Sequence, residues 1–227
     1  MITLTQVTKV YQGARRPALH QVTATIEKGE FVFVVGEAGS GKSTLLKLVL
    51  KEVRPTLGTV TVNGRNLESL PRWKEPHFRR SIGYVPQRPL LIARHTVYEN
   101  VAHALRVIGK TEAVCRRVVP EILELVGLGM KENRYPHELS AGEQQRVAVA
   151  RSFANRPLVI LADEPSSAVD PDTTIELMRL MDRINRTGTT LMVASTDAKL
   201  VSAMRRRVLE FEEGSLIRDQ VRGVWRP

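Results

Sequence analysis

Five consecutive apolar residues, Phe31-Val32-Phe33-Val34-Val35, run directly into Gly36-Glu37-Ala38-Gly39-Ser40-Gly41-Lys42-Ser43 and then into Thr44-Leu45-Leu46-Lys47-Leu48. An apolar run of this length reads as a buried strand, and the leucine spacing after it reads as a helix. The glycine-rich stretch that joins them fits the pattern G-x-x-x-x-G-K-[ST]. Its glycines let backbone N–H groups converge on phosphate oxygens, and the helix N-terminus adds a favourable dipole. Strand, loop and helix in this order point to an α/β fold and imply a nucleoside triphosphate as ligand. Lys42 is expected to reach the β- and γ-phosphates and Ser43 to ligate Mg²⁺. The full phosphate-binding set is Gly36, Glu37, Ala38, Gly39, Ser40, Gly41, Lys42, Ser43 and Thr44.

Two further strings narrow the choice among phosphate-loop proteins. Val159-Ile160-Leu161-Ala162-Asp163-Glu164 reads as a buried strand ending in two acids. Asp163 suits a contact to the metal, and Glu164 suits a general base polarising the attacking water. Leu139-Ser140-Ala141-Gly142-Glu143-Gln144-Gln145-Arg146 opens a long helix-like segment and resembles the signature loop of ABC-type ATPases. In that family the loop contacts the γ-phosphate held by a second subunit. The resemblance therefore implies a head-to-tail homodimer in the ATP state, with Leu139, Ser140, Ala141, Gly142 and Glu143 acting in trans.

Other marks of the family fall in order along about residues 2 to 219, judged by motif positions. The resemblance assigns Tyr11 to stacking on adenine and Gln87 to linking Mg²⁺ with a membrane partner. It assigns Ser167 and Asp170, in Ser167-Ala168-Val169-Asp170, to a loop that crosses between subunits. It implies ATP and Mg²⁺ as the bound species and an ABC ATPase fold, with a mainly parallel RecA-like sheet, an antiparallel β edge and a helical subdomain. Within the superfamily, residues 104–128, 178–219 and the tail 218–224 are most similar to the FtsE group of cell-division ATPases, in its actinobacterial form. That likeness implies an FtsX-like polytopic membrane partner and control of cell-wall hydrolases. Importer and lipoprotein-release ATPases share the same motifs and stay open as alternatives.

At 227 residues the chain can bury a full core as one domain. Residues 1–86 and 157–219 read as the nucleotide-binding core, 87–156 as the helical subdomain carrying the signature string, and 220–227 as a tail. No apolar run approaches membrane-spanning length, and Met1-Ile2-Thr3-Leu4-Thr5 lacks the layout of a secretory signal. The lone Cys115 excludes an internal disulfide. Net charge is +10, from 34 basic and 24 acidic residues. With aromatics at only 5% and no recognised nucleic-acid module, the charge favours an anionic membrane surface over plain solvation, with no specific nucleic acid. The expected location is peripheral, on the cytoplasmic face of the cell membrane.

The hydrophobic pattern predicts strands over 2–11 and 19–26, a hairpin at 58–64, and helices between Thr96 and Gly127, with Pro120 opening a helical turn rather than sitting inside one. After residue 158, strand and helix alternate: strand 158–162, helix 172–185, strand 189–194, helix 197–203, then strands near 206–211 and 215–218. Arg205-Arg206-Arg207 reads as a solvated or lipid-facing cluster, and Trp225 as part of a tail too short to fold alone, either disordered or docked on a neighbour. One departure bears on chemistry. The family places a histidine after the strand that follows the catalytic acids, and here Thr196 fills that slot. A threonine hydroxyl donates one hydrogen bond but carries no charge. Slow hydrolysis is expected, and an ATP-gated dimerising clamp with negligible turnover stands as a second reading.

Overall fold

In chain order the computed structural model, described over residues 1–225, runs β1 (Ile2–Lys9), β2 (Leu19–Ile26), β3 (Phe31–Val35), α1 (Lys42–Val49), β4 (Leu57–Val62), β5 (Arg65–Asn66) and α2 (Glu75–Arg79). Then come β6 (Ile82–Val85), α3 (Val97–Val107), α4 (Glu112–Leu125), α5 (Ala141–Phe153), β7 (Val159–Asp163) and α6 (Pro171–Arg186). The chain continues with β8 (Thr190–Ser195), α7 (Ala198–Met204), β9 (Arg207–Glu212) and β10 (Ser215–Gln220). These elements form two compact units, residues 1–79 with 190–225 and residues 80–189.

The first unit holds two sets of strands. β2, β1, β4 and β5 pair antiparallel in that order, and the Asn63-Gly64 turn closes the β4–β5 hairpin. β10, β9, β3 and β8 lie side by side, with β8 and β9 parallel to β3 and β10 antiparallel to β9. All five residues of β3 are buried, as expected of a strand covered on both faces. Helix α1 buries Leu45, Leu46, Leu48 and Val49, and each such leucine contributes about 1.5–3 kcal/mol. That packing anchors the helix whose first turn carries Lys42 and Ser43.

The second unit pairs β6 parallel to β7 and packs α3, α4, α5 and α6 with them. Helix α6 begins with Pro171 after Asp170, whose carboxylate accepts from the Thr173 N–H at 3.0 Å. Its buried stripe of Thr174, Leu177, Met178, Met181 and Ile184 has the i, i+3, i+4 spacing of an amphipathic helix.

Three expectations need correction. Pro120 lies inside α4. Burial of Cys115, Val119, Ile122 and Leu123 on one face carries the helix through the proline, and the break falls between α3 and α4, at Gly109. Arg207 is not a solvated charge: it bonds Asp219 at 2.7 and 2.8 Å and Glu30 at 2.9 Å. Trp225 is 4% exposed and docks on the chain itself. Among the described residues, no helix is long and apolar enough to cross a membrane.

Candidate nucleotide site

The strand register sets out the first unit's half of the predicted residues. Val35 at the end of β3 is level with Ser195 of β8 on one side and Glu210 of β9 on the other. The next residues, Gly36 and Thr196, therefore leave their strands together at the carboxyl edge, beside Phe211 of β9, where open α/β sheets place ligands. Gly36 has φ 145°, and any side chain there would collide with the Phe211 carbonyl and the Ser40 hydroxyl. Only glycine fits.

Lys42 is 4% exposed, and its ammonium donates to the carbonyls of Gly36 and Glu37, both at 2.8 Å. The loop thus curls round its own lysine. Ser40 N–H donates to the Glu37 carbonyl at 3.2 Å, while the Ser40 carbonyl accepts from Gly214 N–H at 3.1 Å. The cap of α1 is Gly41, at φ 107°, so no side chain covers the helix start. An anion can take the position a capping side chain would hold. Glu37, Ala38 and Gly39 are exposed, so the Glu37 carboxylate faces solvent.

Tyr11 is 37% exposed, with its hydroxyl 3.5 Å from Thr44 Oγ1 and the Lys9 ammonium 5.1 Å from its ring centroid. The ring therefore stands beside the first turn of α1. Thr196 is exposed just past β8. Asp197 after it donates its N–H to Ser195 Oγ at 3.1 Å and accepts from Leu200 N–H at 3.0 Å, capping α7 and fixing the turn.

The second unit holds the remaining residues. Val85 of β6 is level with Ala162 of β7, which brings Gln87 level with Glu164 where the two strands end. Glu164 has φ 45°, a left-handed conformation that costs a non-glycine residue about 1–3 kcal/mol. Its carbonyl accepts from Ser167 N–H at 3.1 Å, closing a tight turn that turns the chain away from the strand. The exposed Gln87 follows a braced segment: buried Gln145 donates to the Pro86 carbonyl at 3.2 Å, and Arg151 donates to the carbonyls of Pro89 and Leu90. Burial holds the Arg151 guanidinium below its ordinary pKa.

The signature string caps α5. Ser140 Oγ accepts from Glu143 N–H at 3.2 Å, and the Glu143 carboxylate accepts from Ser140 N–H at 3.0 Å. Glu143 also pairs with Lys131, and that contact, helped by the Ser140 N–H, holds its carboxyl below the ordinary range. Leu139 is buried, Ser140 and Ala141 are exposed, and Gly142 is buried where a side chain would run into the Thr173 methyl of α6. The expectation for Gly142 concerned approach to phosphate; inside the chain it also lets two helices meet. Arg146, bonded to Glu176 at 2.8 Å, ties α5 to α6. Ser167 and Asp170 are exposed, and Asp170 caps α6. Its bond from the Thr173 N–H lowers its pKa. The caps were readable as Ser-x-x-Glu and Asp-Pro patterns, but the expectations gave these residues contacts in trans alone.

The donors expected around the metal are the Ser43 hydroxyl, the Gln87 amide oxygen and the Asp163 carboxylate. All are hard oxygens of the kind Mg²⁺ takes, and this ion usually completes its shell with substrate phosphates and water rather than a protein cage. The donor set fits the ion.

A profile of the family described as ABC transporter matches residues 19–167. Over 225 residues the chain is 52% identical to the cell division ATP-binding protein FtsE of Mycobacterium tuberculosis, covering 99% of this chain and 98% of the relative. The protein of the same name from Bacillus subtilis is 43% identical over the same shares. Among solved structures, the dimeric ATP-binding cassette MJ0796, in a post-hydrolysis state bound to ADP and Pi, matches with a TM-score of 0.89. Identity is 33%, over 99% of this chain and 100% of that one.

Proposed function

The chain belongs to the ABC transporter family as an ATP-hydrolysing cassette, and from that premise we propose that it drives an FtsX-like membrane partner in cell division. The observation that carries the ATPase reading is the phosphate loop, curled round Lys42 on the buried strand β3. End-to-end identity with two cell-division proteins supports the division role.

In this reading Lys42 exchanges its two loop carbonyls for β- and γ-phosphate oxygens, and the α1 N-terminus adds its dipole. Tyr11 stacks on adenine. Glu164 accepts the proton of the attacking water, and Gln87 helps orient that water and passes the state of the site to the membrane subunit. Mg²⁺, held by Ser43, Gln87 and Asp163, supplies charge neutralisation at the phosphates when bound. Two copies pair head to tail around ATP. Each offers Leu139 to Glu143 to the other's nucleotide, and Ser167 and Asp170 lie in the crossing loop. Closure on ATP and reopening after hydrolysis transmit the motion that regulates cell-wall hydrolysis. The net charge of +10 suits a peripheral position against an anionic inner leaflet.

Thr196 favours slow turnover within this scheme. Its extreme form is the second reading, a clamp that closes on ATP and barely hydrolyses it. Light scattering on Glu164→Gln with and without Mg-ATP, beside phosphate release by the wild type, tests both. An ATP-dependent dimer is expected for Glu164→Gln and none for Lys42→Ala. A strictly monomeric Glu164→Gln protein at saturating Mg-ATP, with the FtsX-like subunit present, refutes the proposal. Measurable phosphate release by the wild type removes the clamp reading.

A further inference from the structure

β10 ends at Gln220, yet Trp225 further along is 4% exposed and fully engaged. Its indole N–H donates to Glu210 Oε1 at 3.0 Å. Its main-chain N–H donates to Ser202 Oγ at 3.2 Å, and that hydroxyl lies 3.1 Å from the Trp225 carbonyl. Arg218 completes the clip, donating Nε to Glu210 Oε2 at 2.7 Å and Nη2 to the Val224 carbonyl at 2.8 Å. The segment after β10 is therefore a strap laid back on the β9–β10 hairpin.

That hairpin is also the wall behind the phosphate loop. Glu210 is level with Val35, the carbonyl of the next residue, Phe211, abuts Gly36, and Gly214 at the hairpin turn donates to the Ser40 carbonyl. Trp225 and residues Gly36 to Ser40 line one cavity of about 540 Å³. In its wall the Ser40 hydroxyl is buried without a hydrogen-bond partner among the described residues. The loop is thus bonded to the hairpin at Ser40 and closely approached by it at Gly36, and a large, rigid indole bonds the same hairpin at Glu210.

We propose that Trp225 is a positioning residue for the phosphate loop, acting through Glu210 and the β9–β10 hairpin. The inference rests on the reading of residues 36–43 as a nucleotide cradle. Any rearrangement of that loop when phosphate displaces the Lys42 contacts is passed to Gly214 and Glu210, and so to the indole.

The chain contains two tryptophans, and Trp73 is 70% exposed, so Trp73→Phe leaves Trp225 as a lone reporter at little structural cost. In that background, saturating Mg-ADP, which carries no acceptor for the indole's emission, is expected to shift Trp225 emission. Trp225→Ala is expected to raise the mant-ADP Kd and the KM for ATP about three- to tenfold while kcat stays within about twofold, the mark of lost binding rather than lost chemistry. Trp225→Phe, which fills the volume without the Glu210 bond, should recover part of that loss with a melting temperature near wild type. If Trp225→Ala does not fold, Trp225→Phe and Glu210→Gln carry the measurement. The proposal is overturned if the Trp73→Phe protein binds mant-ADP, its Trp225 emission stays constant on saturation with unlabelled Mg-ADP, and the Trp225 and Glu210 variants bind as tightly as wild type. Failure of the wild type itself to bind mant-ADP more tightly than Lys42→Ala refutes the cradle reading and the inference with it.

Discussion

Replacing Thr196 with histidine tests the part in the chemical step proposed for position 196. The register of β8 on β3 puts position 196 beside Gly36, and its exposure leaves room for an imidazole without overpacking. The Ser195 hydroxyl and the Asp197 carboxylate hold the turn by accepting from main-chain N–H groups, bonds that the substitution leaves in place. Threonine offers one short hydroxyl donor, whereas the imidazole reaches several bonds further and can carry charge. A single preorganised donor to the developing charge is worth about 10²–10³ in rate, roughly 3–4 kcal/mol. The surrounding loop has not been shaped for the ring, so Thr196→His is expected to recover part of this, about tenfold or more in kcat. Steady-state phosphate release at saturating Mg-ATP reads the gain, and mant-ATP affinity, expected to change little, confirms that binding is intact. An equal or lower kcat in a protein that still binds mant-ATP refutes the reasoning.

Gly142→Ala is expected to destabilise the fold by about 1–3 kcal/mol through overpacking against Thr173. Adding Thr173→Ser, which removes the offending methyl and keeps the hydroxyl, should restore most of it in urea denaturation; a double variant no more stable than the single one contradicts the packing account. Tyr11→Ala should weaken ATP binding about tenfold, within the range for one base–aromatic stack, while Tyr11→Phe stays near wild type because the hydroxyl contact to Thr44 is long; equal loss in both disproves stacking. Glu143 has a lowered folded-state pKa, so its stabilisation is fully present above its ordinary value of 4.5 and is lost as pH falls through the lower folded value. Protection factors for hydrogen exchange at the start of α5, corrected for the intrinsic rate at each pH, should therefore fall on acidification below pH 4.5 in the wild type. In Glu143→Gln they should show no such fall.

Where local chemistry decides, the sequence was readable. The apolar run 31–35, the glycines after it and the Asn63-Gly64 turn each force one backbone course, and the strands and helices after residue 158 fall within a residue or two of their expected bounds. The phosphate loop was legible only in part: its glycines announce the positive φ at 36, 39 and 41, whereas the bonds from Lys42 to the Gly36 and Glu37 carbonyls were not foreseen. Contacts between distant segments were not readable. Pro120 reads as a boundary from its own chemistry, and only the packing of Val119, Ile122 and Leu123 overrules that preference. Arg207 becomes an interior clamp because the fold brings Glu30 and Asp219 to it. Trp225 could not be placed, because its partners Ser202 and Glu210 gather only after β9 has taken its place beside β3. A terminal tryptophan with no periodic neighbours gives no local signal, yet its burial joins the end of the chain to the wall behind Gly36. If Trp225 acts as proposed, residues that set how firmly a phosphate loop is held lie far from any phosphate-binding motif.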